Sequence, residues 1–327
     1  MAAENFQSIV LRRFSKFVCA ATLFLIFAGG MVKSTESGLA VPDWPLSYGS
    51  FFPPMVGGVF YEHGHRMVAS AVGLLTVGLA VFLTLWEKRR WVKMAGWTAV
   101  VMVITQGILG GITVLFFLPD AISIAHGLLA QTFFLVTIFI AYSQSVERKQ
   151  RENNSMNIQP NFLKMCVLFI IIIYGQLFLG ALMRHTESGL AVPWNYWWPN
   201  FNENVMLGIN WRIMHNNLDL VTQNQAWIHF SHRLGALAVM LAAVVLTVFG
   251  VSQYKNKPKI LNSIFLLDLL IASQIALGIL TVYSLKLPSI TTFHVTVGAA
   301  VLGMSVLLLL RAAPIQWGNF TKNFLTR

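Results

Sequence analysis

Four histidines have the residue type and the spacing to hold a metal-bearing cofactor. His65 and His232 each stand at the start of a long apolar stretch, and each is followed by an arginine. His126 and His294 stand near the start of two further apolar stretches, 168 residues apart (294 − 126), and the first two are 167 apart (232 − 65). Ionisable side chains beside hydrocarbon are costly. Four histidines placed at matching positions in both halves of the chain therefore indicate a function.

The chemistry that suits this pattern is axial ligation of haem iron. Two imidazoles on facing helices of a bundle can bind an iron from opposite faces of a porphyrin. The pairs would be His65 with His126 and His232 with His294, which gives one haem to each half of the chain. A single histidine in an apolar span is more often a hydrogen-bonded packing residue. Four histidines in matched pairs at matched depth favour ligands.

Four cationic side chains accompany these histidines. Arg66 and Arg233 directly follow ligand candidates and could donate charge-assisted hydrogen bonds to haem propionates. They could equally extend to lipid phosphate as snorkelling side chains. Lys33 and Arg184, at the outer ends of two other apolar runs, have the same two interpretations.

One acidic residue stands beside the first histidine pair. Glu62 precedes His65 by three residues, so both project from one face of a helix. A carboxylate there can take or deliver protons beside a bound haem, although it could also be a solvated acid at the membrane edge. The second half has His229 at this position, and such a difference is expected between a catalytic site and an electron-transfer site. His63 stands two residues before His65, so it points to a different side of the helix and is not expected to be a ligand.

These residues must be positioned by membrane-spanning helices. The chain has 327 residues, of which 56% are hydrophobic and 11% charged, and its mean hydropathy is +0.65. Soluble domains average about 25% charged residues, so the sequence predicts an all-α integral membrane protein. Eight apolar runs predict eight spans, at 14–33, 64–86, 94–117, 121–142, 163–184, 227–250, 261–283 and 290–311.

Charge distribution predicts how the chain lies in the bilayer. The net charge is +11, but the Lys and Arg residues cluster in every second loop, which is the positive-inside pattern rather than a nucleic-acid surface. Both termini are then cytoplasmic, and 34–62 and 185–226 are long outer loops. His185 and His215 fall in the second of these loops and are expected to have surface roles.

The two halves of the sequence repeat one another. Thr35 to Pro42 recurs unchanged as Thr186 to Pro193. Three further residues recur at the offset of 168: Gln106, Gly110 and Thr113 as Gln274, Gly278 and Thr281. A duplication of four spans predicts two tandem four-helix bundles, 1–150 and 151–327, related by a pseudo-two-fold axis along the membrane normal.

With these motifs in place, the chain closely resembles the haem A synthase family, the CtaA/Cox15 group. The resemblance covers all eight spans, and its most specific parts are the histidine pairs, the stretch Glu62 to Arg66 and the loop Ser37 to Pro45. It implies oxidation of the C8 methyl group of haem O to a formyl group by successive hydroxylations, giving haem A for cytochrome oxidase.

The resemblance also implies a role for each half. His65 and His126 would flank the substrate haem, with Glu62 as the catalytic carboxylate close by. His232 and His294 would ligate a haem b cofactor that passes electrons. The implied location is the bacterial cytoplasmic membrane. The implied partners are haem O synthase, oxidase assembly factors, membrane lipid and a possible second copy of the chain.

The cysteine content departs from many bacterial members of this family, which carry a cysteine pair in the first outer loop. The corresponding positions here look like Val41 and Ser47. Cys19 and Cys166 both lie inside apolar runs, so neither an outer disulfide nor a cysteine-rich metal site is expected. The chain therefore resembles a cysteine-free subgroup.

Two other functions are compatible with parts of the sequence. A bis-histidine dihaem cytochrome b that only transfers electrons would explain all four histidines, but not the difference between Glu62 and His229. A transporter with parallel repeats would explain the duplication. Such transporters usually have spans broken near the midplane, whereas these histidines lie toward the outer face.

Overall fold

The fold is all-helical. The computed structural model describes residues 6–152, 159–193 and 195–313, and within these ranges it contains α-helices, one 3₁₀ turn at Ser188–Leu190 and no strand. The helices are α1 (Phe6–Ser34), α2 (Gly58–Trp86), α3 (Arg90–Leu115), α4 (Asp120–Ser143), α5 (Val146–Glu152), α6 (Pro160–His185), α7 (Glu203–His215), α8 (Gln223–Gln253), α9 (Pro258–Tyr283) and α10 (Pro288–Ala312).

Eight of these helices are long and apolar enough to cross a membrane, which confirms the eight predicted spans. They contain 24 to 31 residues each. At 1.5 Å per residue they are about 36 to 46 Å long, whereas the hydrocarbon core is about 30 Å thick. The helices therefore extend beyond the apolar runs. For example, α1 begins at Phe6 and α2 at Gly58, each at least six residues before the predicted start.

Two shorter helices, α5 and α7, lie where loops were predicted. The α7 helix begins after Asn202, whose side chain accepts a hydrogen bond from the backbone N–H of Val205 and so caps the helix. Ile209 and Ile213 lie on its buried face, in a small apolar cluster beneath the second outer loop. This loop is therefore an ordered layer over the outer ends of the spans.

The spans pack as two rings of four. In the first, α1 contacts α2, α2 contacts α3, α3 contacts α4, and α4 closes on α1; α6, α8, α9 and α10 repeat this order in the second. The rings meet where α1 and α4 contact α10 and where α4 contacts α6. Each ring has its own buried apolar cluster. The pseudo-two-fold axis and the division into halves at 150/151 stay predictions.

Candidate functional site

The second-half histidines lie as close together as two ligands of one metal ion. His232 on α8 and His294 on α10 have ring centroids 6.4 Å apart and ring planes at 72°. Metal–imidazole bonds are about 2 Å long, so two rings on opposite sides of one ion have centres roughly 6 Å apart. The predicted pairing of these residues therefore fits the geometry of axial ligation.

Two glutamines hold this second pair in place. The Gln176 side-chain Nε2 lies 3.1 Å from His232 Nδ1 and donates to the His232 carbonyl at 2.9 Å. The backbone carbonyl oxygen of Gln274 lies 3.1 Å from His294 Nδ1. A ligating histidine commonly donates its Nδ1–H to such a carbonyl, which leaves Nε2 for the metal. Gln176 did not stand out in the sequence, because its counterpart in the repeat is Leu25 (176 − 151).

The first-half histidines are tethered less. His65 on α2 lies within electrostatic range of His126 on α4. The Nδ1 atoms of both rings are buried without a hydrogen-bond partner. Gln106 donates to the backbone carbonyl of His126 at 3.0 Å, whereas its side chain makes no hydrogen bond to the His126 ring like the one between Gln176 and the His232 ring. The structure thus places both predicted pairs toward the end of the bundles that carries the two long loops, with fewer bonds on the first pair.

The donor sets fit a porphyrin iron. Among the described residues no group of three or more His, Cys, Asp or Glu side chains could hold a metal ion by itself. Protein-only metal sites usually need about four such ligands. A paired-imidazole site instead suits an iron whose remaining ligands come from a porphyrin ring. Cys19 and Cys166 are both free cysteines.

Glu62 and Arg66 fasten the first outer loop to α2. The Glu62 carboxylate accepts the backbone N–H of Val41 at 2.8 Å and Arg66 Nη2 at 2.6 Å. Arg66 Nη1 also donates to the carbonyl oxygens of Asp43 and Leu46, each at 2.7 Å. Glu62 is only 3% exposed, so it is not a solvated acid. We call Glu62, Arg66 and these loop contacts the first-loop latch.

A corresponding second-loop latch is built without an acid. The Arg233 Nε–H donates to His229 Nε2 at 3.2 Å, while His229 Nδ1 lies 3.1 Å from the carbonyl oxygen of Ser188 and 3.2 Å from the backbone nitrogen of Val192. Arg233 Nη1 donates to the carbonyls of Pro193 and Tyr196 at 3.0 and 2.9 Å. Both arginines thus bind loop backbone rather than lipid. A contact with haem propionates stays a prediction for Arg66 and Arg233.

The other two cations connect the two rings of helices. Lys33 on α1 makes an ion pair with Glu187 in the second half, and Lys286 pairs with the same carboxylate at 3.1 Å. Burial alone would raise the pKa of Glu187, but these two lysines outweigh it and hold the pKa below its ordinary value. Arg184 crosses in the other direction and donates to Ser34 Oγ at 2.9 Å. Neither cation is free to snorkel.

The first outer loop covers the outer end of its bundle. Asp43 accepts two backbone N–H groups of the loop, and these bonds lower the pKa of its carboxyl. The Trp44 ring lies against α3, where a Cβ on Gly111 would be 2.8 Å from it. His63 Nδ1 bonds Ser47 Oγ at 2.8 Å, so this side chain belongs to the loop and not to the histidine pairs.

The last two histidines have different surroundings. His185 was expected in the outer loop, but it is the last residue of α6 and is half-buried; this expectation was wrong because α6 extends beyond the apolar run. His215 ends α7, is exposed and packs on the Trp211 ring with a centroid distance of 3.9 Å. His215 is therefore at the surface, and its role stays a prediction.

Comparison with known proteins gives one family and a consistent set of relatives. The model of the COX15-CtaA family, described as cytochrome oxidase assembly protein, matches residues 55–306. A heme A synthase of Bacillus licheniformis is 29% identical over 277 residues, covering 81% of this chain and 83% of that protein. A heme A synthase of Lysinibacillus sphaericus is 26% identical over 317 residues, covering 94% and 97%.

Proposed function

The chain belongs to the COX15-CtaA family of cytochrome oxidase assembly proteins, and from that premise we propose that it is a haem A synthase. It oxidises the C8 methyl group of haem O to a formyl group, which gives the haem A of cytochrome oxidase. The observation that carries this proposal is the pair of facing imidazoles, 6.4 Å apart in the second half and repeated by sequence in the first.

The two halves have different tasks in this proposal. His232 and His294 hold the resident haem b; the backbone carbonyl of Gln274 supports the His294 ring at Nδ1, and Gln176 bonds the His232 backbone carbonyl. His65 and His126 flank the substrate, whose side of the protein has fewer fixed bonds. Looser tethering suits a molecule that must enter and leave. A bound haem b supplies reversible one-electron chemistry.

Glu62 is the proposed catalytic carboxylate. It lies on the helix face of His65, one turn toward the outer end, and is held by Arg66 and the Val41 N–H. Successive hydroxylations of a methyl group and loss of water from the resulting geminal diol require proton transfers, and a buried carboxylate at the edge of the site can take or deliver these protons. The first outer loop, closed over this position, keeps bulk water out. Arg66 and Arg233 remain proposed partners of the propionates.

The proposed location is the bacterial cytoplasmic membrane. The eight helices make the chain a multi-pass membrane protein, and the relatives named above are bacterial. The basic loops would face the cytoplasm with both termini, although residues 1–5 and 314–327 lie outside the described residues. Haem O synthase would supply the substrate, and oxidase assembly factors would receive the product. Assembly of two or more copies is compatible with this scheme.

The test is to purify the protein from cells that make haem O, record its absorption spectrum and extract its pigments. We expect a low-spin haem b spectrum together with haem O, oxidised intermediates or haem A. Haem b alone, with no haem O or haem A, would favour an electron-transfer cytochrome. A colourless protein would contradict both and favour transport.

Two variants test which half of the chain holds the haem b and which half carries out the oxidation. His232→Ala should abolish the low-spin haem b signal, because it removes one axial ligand. An unchanged spectrum would mean that the cofactor lies in the other half. Glu62→Ala should keep that signal and stop haem A formation, and normal haem A output would remove Glu62 from the mechanism.

A further inference from the structure

Each of the four histidines faces a glycine on the preceding span of its bundle. The glycines lie on α1, α3, α6 and α9, and the histidines on α2, α4, α8 and α10. The pairs are Gly29 with His65, Gly110 with His126, Gly180 with His232 and Gly278 with His294.

The space beside these glycines is tight for a methyl group. A Cβ built on Gly29, Gly180 or Gly278 would lie 3.0, 3.1 or 3.1 Å from Cε1 of the facing histidine, and on Gly110 it would lie 3.4 Å away. Contacts of 3.0 to 3.4 Å are tighter than nine in ten real Cβ contacts, so the imidazole would have to move at the first three positions, whereas the contact at Gly110 is at the edge of ordinary van der Waals distance. At these four positions the ring occupies the volume that a side chain would fill.

Backbone conformation does not require glycine here. All four lie inside helices, and the glycines with positive φ are Gly49 and Gly57, in and beside the first loop. Small residues in membrane helices more often serve close approach of two helix backbones. At Gly29 and Gly278, however, the three nearest atoms all belong to the facing imidazole. The room is therefore used by the ring and not by a neighbouring backbone.

The duplication preserves these glycines. Gly29 and Gly180 are separated by 151 residues (180 − 29), the offset of the repeated octapeptide (186 − 35), and Gly110 and Gly278 share the offset of His126 and His294. Glycine is a poor helix former. Two other span glycines, Gly107 and Gly175, have Ile275 and Phe24 at their repeat positions.

We propose that the four glycines are positioning residues that seat the imidazole rings for iron ligation, an inference that rests on the proposed haem-binding function. We call them the seat glycines. Each allows the Cε1 edge of its histidine to lie against the helix backbone. A methyl group at a seat would push the ring by a few tenths of an ångström and move its ligating nitrogen. Changes around metal-ligating histidines commonly weaken metal retention roughly 10-fold to 100-fold.

The experiment compares alanine at a seat with alanine at an open position of the same helix. Gly180→Ala and Gly175→Ala both lie on α6, and nothing lies within 4 Å of a Cβ at Gly175. The readouts are haem b retained after purification and the electron paramagnetic resonance signal of the low-spin iron. We expect Gly180→Ala to retain about 10-fold less haem b, with any remaining iron shifted toward high spin. Gly175→Ala should match the unsubstituted protein.

A second background tests that the effect passes through the ring. In His232→Gly, added imidazole can replace the missing side chain and is not tied to α8. Because a free ring can move away from a methyl group, imidazole should restore the low-spin signal equally with glycine or alanine at position 180. This comparison also applies if Gly180→Ala alone fails to fold, since removing the His232 ring removes the clash.

Each outcome has a distinct meaning. An unsubstituted protein without haem b would contradict the proposed function. A haem-bearing protein whose Gly180→Ala variant keeps full haem b and an unchanged low-spin signal would overturn the seat. Equal losses in Gly180→Ala and Gly175→Ala would also overturn it, because the effect would then come from α6 as a whole. Unequal rescue by imidazole would contradict transmission through the ring.

Discussion

Replacing Glu62 with histidine separates the catalytic and structural roles of this position. We expect the fold to tolerate the replacement, because the second-loop latch has His229 at this position, bonded to Arg233 Nε at 3.2 Å. Glu62→Ala is less informative. It removes the carboxylate and also leaves the Arg66 charge and the Val41 N–H without their partner.

The magnitudes follow from these contacts. Breaking a buried ion pair by removing one partner costs about 3–5 kcal/mol. Arg66 keeps its bonds to two loop carbonyls at 2.7 Å, so the lower end applies, and we expect Glu62→Ala to destabilise the protein by about 3 kcal/mol. In Glu62→His the ring can accept from Arg66, so we expect a loss of about 1 kcal/mol, comparable to one hydrogen bond.

The assay combines thermal unfolding in detergent with the haem b spectrum and pigment extraction. Glu62→His should unfold at nearly the temperature of the unsubstituted protein, keep the haem b signal and accumulate haem O without haem A. Haem A formation by this variant would refute a carboxylate role in catalysis. A loss of stability as large as that of Glu62→Ala would instead refute the equivalence of the two latches.

Three further predictions concern stability. Burial alone would raise the pKa of Glu87, but hydrogen bonds from Arg89 and Gln144 outweigh it and hold the pKa at about 2. The ionised carboxylate therefore stabilises the folded protein fully above the ordinary pKa of 4.5, and this stabilisation is lost as the pH falls from 4.5 to about 2. Glu87→Gln should remove this part of the acid dependence, about 1–2 kcal/mol after allowance for solvent screening, as measured by unfolding across this pH range. Asp268 lies in the middle of α9 and accepts a hydrogen bond from the Thr247 hydroxyl at 2.9 Å. Because an acid within a membrane span is costly, Asp268→Leu should stabilise the protein by up to about 2 kcal/mol in thermal unfolding and leave the haem spectrum unchanged. A clear destabilisation would indicate that Asp268 has a further partner. Removing bound haem should lower the unfolding temperature, since a ligand that binds only the folded state stabilises it by about 4 kcal/mol at 1,000 times its Kd.

The sequence predicted the features that depend on composition and on repetition. Eight apolar runs became eight spans because hydrocarbon requires every backbone polar group to be bonded within its own segment. His232 and His294 lie close together, as expected for two histidines at equal depth in one bundle, and their pairing as ligands stays a prediction. The sequence analysis did not predict α7, because its two buried isoleucines on successive turns are too few for a hydropathy signal, although Asn202 is a favoured N-cap residue.

Side-chain destinations were harder to predict, because they depend on how the loops fold back. The spacing predicted that Glu62 lies on the same helix face as His65, but it did not predict the hydrogen bond from the Val41 N–H, 21 residues away. The same holds for Arg66, whose donors reach loop carbonyls rather than lipid. The repeat could have drawn attention to Gly29, since Gly29 and Gly180 share the 151-residue offset. A glycine within a helix does not indicate a function, however, until the histidine ring that faces it is known.

The two copies differ at coordinated positions, and this supports a division of tasks. The second half has Gln176 where the first has Leu25, and His229 where the first has Glu62. Its histidine pair gains a glutamine that bonds the His232 backbone and loses a nearby carboxylate, which suits the proposed resident haem. The first half keeps the acid and an apolar neighbour, which suits a substrate that reacts and leaves. Shared seat glycines and arginine latches then describe what both halves need: a ring held in place under a closed loop.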